Sequence, residues 1–129
     1  MRRDIADALV SLEAGAEPGS VAAVFRFDPA RPVFQGHFPG RPLLPGVFEI
    51  EMVRYAVERR TGKRYDVSRV DKAKFIGEIK PGDVVAVDAA VEETEEGICV
   101  KARLRVAKAP KATLSIMLDP AEAEGQGGR

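Results

Sequence analysis

The sequence predicts an α+β domain in which an antiparallel sheet folds around one buried helix. Three observations carry that expectation. From Val47 to Arg60 the pattern is helical, and Phe48, Ile50, Met52, Val53, Tyr55, Ala56 and Val57 cover most of the helix circumference. Glu51, Arg54 and Glu58 form the one narrow polar stripe, and a helix apolar nearly all round is buried on several sides. Second, the chain beyond Gly62 reads almost entirely as strands and turns. Third, 129 residues with 45% hydrophobic content support one core rather than two. The simplest wrapper for such a helix is a curved sheet. The expected organisation is a single domain over 1–120 with a polar, glycine-rich tail over 121–129.

The elements follow in order. "DIADALVSLEAG" sets Ile5, Leu9 and Leu12 at helical spacing, with Gly15 as a stop, and predicts a short amphipathic helix. "SVAAVFRFD" predicts a strand to Phe27, and "DPARP" punctuates it. Between Phe34 and Gly46 three prolines remove N–H donors and bias their predecessors toward extended geometry, which excludes regular structure. Val47–Arg60 is the buried helix, ended by Gly62. "VSRVDKAKFIGEI" is a partly alternating strand, and "PGD" at Pro81–Asp83 is a turn. "VVAVDAAVEE" and "GICVKARLRV" make a hairpin through the acidic "EETEEG". In its second strand Val100, Ala102, Leu104 and Val106 face one way and Lys101, Arg103 and Arg105 the other. "KATLSIML" is the last strand.

Charge excludes some functions. Twenty basic and twenty acidic residues give zero net charge, against a dedicated nucleic-acid binder. No apolar run approaches the roughly 20 residues of a membrane span. The single Cys99 allows no internal disulfide and fits a reducing compartment, so the expectation is a soluble cytoplasmic protein. Charge is nonetheless uneven. Eight basic residues lie between Arg54 and Lys74, while Asp83 to Glu96 holds six acidic residues and no basic one. The basic stretch reads as one face for an anionic partner, or as ordinary solvated surface.

The chemistry concentrates in "FQGHFPGRPLLPGVFEIE", Phe34 to Glu51. It holds the only histidine, His37, in a backbone pinned by Pro39, Pro42 and Pro45. Imidazole titrates nearest neutral pH, and a fixed loop presents it without an ordering cost at each turnover. Glu51 lies on the mostly buried helix, with Arg54 at i+3 as an ion-pair partner. Glu49 is the competing carboxylate, but stands about 160° away around the helix. "PG" at Pro45–Gly46 opens the helix, whose first N–H groups suit an anion or a carbonyl becoming an enolate. Histidine, carboxyl and helix N-terminus together point to proton abstraction beside a carbonyl. One histidine and one distant cysteine supply no familiar metal site. There is no G-x-S-x-G, P-loop or G-x-G-x-x-G motif.

Those residues resemble the signature of the FabZ/FabA β-hydroxyacyl-[acyl-carrier-protein] dehydratases, a hotdog-fold family. The pattern F-x-G-H-F-P-G-x-P-x-x-P-G-V, followed by four residues to an acidic one, lands on Glu51, and "VDKAKFIGEIKPGD" resembles the family's later strand and turn. The likeness spans about Val33 to Val87. The resemblance implies a lyase of fatty acid or related acyl-chain biosynthesis. It dehydrates a β-hydroxyacyl thioester, on acyl carrier protein or CoA, to the trans-2-enoyl product. It implies a homodimer, assembled in some relatives into hexamers, with sites at the interface. In it His37 removes the C2 proton, Glu51 or a water it holds handles the C3 hydroxyl, the Gly46 N–H receives the thioester oxygen, and the Leu43 carbonyl orients the imidazole. Phe38, Val47 and Tyr55 would line the substrate path. The basic stretch becomes a docking face for an acidic carrier and its phosphopantetheine. No cofactor or metal is implied. The chain departs from the pattern at Met52, Val53, Arg54 and Tyr55, where the family has small residues and a glutamine. It also lacks the usual N-terminal "PHR" segment, and is in that similar to the compact ApeI-like group. The competing functions are a non-catalytic acyl-thioester binder and a hotdog thioesterase.

Overall fold

The computed structural model describes residues 1–34 and 42–121. Helix α1 (Arg2–Ala8) runs directly into strand β1 (Leu9–Ala14), followed by β2 (Val21–Arg26). A 3-10 turn (Pro32–Phe34) precedes helix α2 (Gly46–Thr61). Then come β3 (Tyr65–Phe75), β4 (Val84–Thr94), β5 (Gly97–Val106) and β6 (Ala109–Pro120). The strands form one antiparallel sheet in the order β1-β2-β4-β5-β6-β3. This is the hotdog arrangement: α2 lies in the concave face, and α1 packs on its far side.

The first helix is shorter than expected. Leu9–Ala14 is a strand, not the second half of a helix. Its register explains the misleading spacing. Leu9 pairs with Phe25 and Leu12 with Ala23, with a bulge between Leu9 and Ser11. The extra residue lets Leu9 and Leu12 turn the same side inward, so a bulged strand reproduces i, i+3 spacing. Val10, at the bulge, is exposed. Pairing with β2 satisfies the β1 backbone, which outweighs a weak local helical preference.

α2 begins one residue before and ends one residue after the expected span. Gly62 terminates it in the left-handed conformation (φ 79°), and its N–H donates to the Glu58 carbonyl at 2.7 Å. Met52, Val53, Ala56 and Val57 are fully buried against the sheet, which contributes Phe25, Val85, Val87, Leu104, Ile116 and Leu118. Phe48 meets Phe27 edge-on, with ring centroids 6.1 Å apart. The Leu44 N–H donates to the Ile79 carbonyl at 2.9 Å, tying the approach to α2 to the β3–β4 connection.

The basic stretch does not form one face. Arg54 is mostly buried among carboxylates on α2, Arg59 to Arg64 surround the end of that helix, and Lys72 and Lys74 lie on the sheet. A chain turn separates residues that are adjacent only in sequence. Phe34, expected outside regular structure, closes the 3-10 turn. Among the described residues, no helix is long and apolar enough to cross a membrane.

Candidate active site

The N-terminus of α2 is the centre of the candidate site. Pro45 is the N-cap residue in extended geometry, and among the described residues no side chain caps the helix. The first turn therefore keeps backbone donors and the positive end of the helix dipole. Gly46 lies close under the Phe75 side chain. A Cβ on it would lie 2.8 Å from the tip of the Phe75 ring, at the end of β3. Phe75 is 48% exposed and Val47 51% exposed, so this end of the helix opens at the surface. Leu43 and Pro45 are half-buried beside it.

Glu51 and Arg54 form an ion pair on the polar stripe, and Arg54 Nη1 also donates to the Tyr65 carbonyl at 2.8 Å. Further along, Glu58 is 5% exposed and fully partnered. Arg2 grips its two oxygens at 2.7 and 3.2 Å, and the Tyr65 N–H donates to it at 2.8 Å. Burial alone would push the Glu58 carboxyl up. Arg2, the Tyr65 amide and Arg54 outweigh it and hold the group below its usual range. This cluster fastens α1 and β3 to α2. Tyr55 sits on that side too, its hydroxyl accepting from Arg59 at 3.1 Å and its ring under the same guanidinium. With Arg2, Ile5, Glu51, Arg54 and Glu58 it lines a narrow cleft under α1.

Glu49 has the opposite surroundings. It is 3% exposed, and its Oε1 has no hydrogen-bond partner among the described residues. Desolvation pushes its carboxyl up to about 8. At neutral pH it is a buried neutral acid in the first turn of α2, near Gly46 in sequence.

Leu43, Gly46 and Val47 lie at the N-terminal end of α2, while Glu51, about a turn and a half further on, lines the cleft under α1 together with Tyr55. His37 and Phe38 lie outside the described residues. Among the described residues no cluster of three His, Cys, Asp or Glu side chains has metal-binding geometry. Sequence reasoning missed two features. The first is the Phe75 ring that covers Gly46. The second is the contrast between Glu58 and Glu49, which the helical wheel alone does not show.

Comparison with known proteins places the fold and the family. The family model for ApeI-like dehydratases (ApeI dehydratase) matches residues 13–117. The 3-hydroxyacyl-[acyl-carrier-protein] dehydratases FabZ of Klebsiella pneumoniae subsp. pneumoniae and Salmonella arizonae are each 34% identical over 76 residues. That alignment covers 52% of this chain and 50% of each relative, so the chain spans about half the length of the curated relatives it matches. Among solved structures, the dehydratase heterocomplex ApeI:P from Xenorhabdus doucetiae superposes with a TM-score of 0.72 at 22% identity, covering 86% of this chain and 96% of that one. A mutant of the fluoroacetyl-CoA-specific thioesterase FlK superposes at 0.67 with 13% identity, covering 90% and 96%. These structural likenesses speak for the hotdog fold, which dehydratases and thioesterases share. With more than half of its residues matched by that family model, the chain belongs to the ApeI-like dehydratase family.

Proposed function

We propose that the protein dehydrates a β-hydroxyacyl thioester, presented on an acyl carrier protein, to the trans-2-enoyl thioester. The observation that carries this reading is the N-terminus of α2, which no side chain among the described residues caps, with Gly46 at its opening and Glu51 within the next turn and a half. His37 takes the proton from C2. The electron pair closes the C2=C3 bond as the C3–O bond breaks, and the oxygen leaves as water, with the proton that His37 removed relayed to it through Glu51 or a water Glu51 holds. The Gly46 N–H and the helix dipole stabilise the enolate oxygen that forms between those events. The Leu43 carbonyl fixes the imidazole tautomer, and Phe38, Val47 and Tyr55 border the acyl path.

The unit in this reading is a homodimer, with a hexamer of such dimers as the alternative assembly. The free edge of β3 supports it, because an end strand with exposed Val70 and Phe75 is a template for pairing. His37 of one subunit then works with Glu51 of the partner subunit. The reaction is placed in the cytoplasm, in fatty acid or related acyl-chain synthesis.

The test is formation of enoyl thioester from a 3-hydroxyacyl thioester, followed by absorbance. Placed proton transfer contributes about a hundred- to ten-thousand-fold, so His37→Ala loses at least about a hundredfold while melting normally. A His37→Ala protein with near-full turnover refutes the assignment. One observation favours a second reading, a non-catalytic acyl-thioester binder: Arg54 already occupies Glu51. Binding of acyl carrier without turnover supports that reading. Release of free thiol instead of enoyl product marks a thioesterase.

A further inference from the structure

A cleft of about 390 Å³ opens between α1 and the C-terminal end of α2. α1 contributes Arg2 and Ala6 to its lining, α2 contributes Tyr55, Glu58 and Arg59, and the connection to β3 contributes Gly62, Lys63 and Arg64. Small-molecule sites are concave and hold roughly 300–1,000 Å³, so the size is that of a ligand rather than of a surface dimple. Four cations and one carboxylate line it. The carboxylate, Glu58, is held by Arg2 at 2.7 and 3.2 Å and also accepts the Tyr65 N–H. Arg59, Lys63 and Arg64 are exposed, and among the described residues none of the three is in an ion pair. Asp66, the next acid along the chain, does not line the cleft.

One of these cations is held in place. Arg59 Nη1 donates to the Tyr55 hydroxyl at 3.1 Å, and the guanidinium lies 5.9 Å from the centre of the Tyr55 ring. Stacking fixes a planar fork, whose remaining N–H groups suit two oxygens of one phosphate. Gly62, in the left-handed conformation, turns the chain at the end of the helix and brings Lys63 and Arg64 to the same cleft. The place also sets the charge of the ligand. The C-terminal end of a helix carries negative potential, so the attraction for an anion must come from side chains. Arg59 and Arg60 in the last turn offset that end of α2. Three cations without a counter-charge then favour a ligand with more than one negative charge. A concave site fits a small molecule better than a flat bilayer or a duplex, and zero net charge gives the chain no long-range attraction for either.

We propose that this cleft binds a small phosphorylated molecule carrying at least two negative charges, with Arg59, Lys63 and Arg64 on its phosphate oxygens. The proposal does not rest on the dehydratase reading, and its test reads binding rather than turnover. The full chain is titrated with inorganic pyrophosphate by calorimetry, with sodium sulfate at equal ionic strength as the reference for general screening. Saturable binding of one pyrophosphate per chain is expected, beyond any response to sulfate. Arg59→Gln/Lys63→Gln, at exposed positions where the melting temperature checks the fold, weakens it at least about tenfold. Lys72→Gln/Lys74→Gln makes the same change of charge on the sheet and leaves the binding unchanged. No binding to the wild-type protein overturns the proposal, as does equal weakening in both double variants, which would reduce the effect to net charge. The chain itself offers a competitor. The Ala121 N–H donates to the Arg64 carbonyl at 3.0 Å, and Glu122 and Glu124 follow directly in sequence. If pyrophosphate binds only to Glu122→Gln/Glu124→Gln, the cleft belongs to those carboxylates and the proposal falls. Binding to phosphatidylglycerol vesicles that is lost in Arg59→Gln/Lys63→Gln, with no pyrophosphate binding, assigns the cleft to a membrane and also overturns it.

Discussion

Glu58 and Glu49 lie on the same helix and are almost equally buried, yet their environments push them in opposite directions. Glu58, near the C-terminal end of α2, is surrounded by Arg2, Arg54 and the Tyr65 amide, and stays ionised. Glu49, in the first turn, finds no partner for its Oε1 among the described residues, and desolvation pushes its pKa up to about 8. The comparison teaches that burial does not decide what a carboxylate does; its partners do. The partnered glutamate ties three elements together. Glu49, without such a partner among the described residues, is a neutral acid in the first turn of the helix where the chemistry is proposed.

The largest way to break the contrast is to remove the partnered group. Glu58→Ala leaves Arg2 and Arg54 facing a buried vacancy, and is expected to lower unfolding free energy by about 3–5 kcal/mol in urea denaturation. A loss below about 1 kcal/mol would mean the cluster is only a surface pair.

Next comes Glu49, through pH. Its folded-state pKa is raised, so both states are protonated below about 4.5. Between 4.5 and 8 only the unfolded state releases the proton, and stability falls as pH rises. Glu49→Gln removes that linkage. Its stability relative to wild type should therefore rise by about 1.4 kcal/mol per pH unit through this window, and level off above it. Parallel stability curves across pH 5–8 would show that Glu49 finds a partner. Glu58 works in the reverse sense: its folded-state pKa is lowered, so its contribution is present above the ordinary carboxylate pKa and is lost in acid.

The smallest effect sharpens the first. Arg2→Gln removes two charge-assisted hydrogen bonds, but leaves Glu58 the Tyr65 amide and Arg54. The expected loss is about 1–2 kcal/mol, with the acid limb of the stability curve moved to higher pH. No change in that limb would remove Arg2 from the account of Glu58.

Much of this molecule was legible in its residues, for stated physical reasons. The bounds of α2 followed from Pro45, Gly46 and Gly62, and the alternation of Val100, Ala102 and Leu104 against Lys101 and Arg103 is the observed burial of β5. β1 was not legible, because a bulge gives Leu9 and Leu12 the spacing of a helix. The cluster of cations on the sheet was only half legible. Lys72 and Lys74 were seen as part of a basic run, but their neighbours Lys101 and Arg103 come from a strand nearly thirty residues away and meet them only through the register of β6. The fates of Glu49 and Glu58 depend on what covers each side of α2, which a single helical pattern does not contain. For the proposed chemistry, Glu51 and Gly46 were marked by their places on the helix and by motif spacing, the Arg54 pair was expected from i+3 spacing, and the structure adds the Phe75 ring over Gly46.

The most direct test of the shared site is complementation between two inactive proteins. His37→Ala and Glu51→Gln are purified separately, unfolded, mixed in equal amounts and refolded, and enoyl-thioester formation is measured. If His37 of one subunit works with Glu51 of the partner subunit, half of the dimers are mixed, each with one intact site, and activity returns to about a quarter of wild type. No recovery above the separate variants, in a mixture shown to contain mixed dimers, would contradict a site built across the interface.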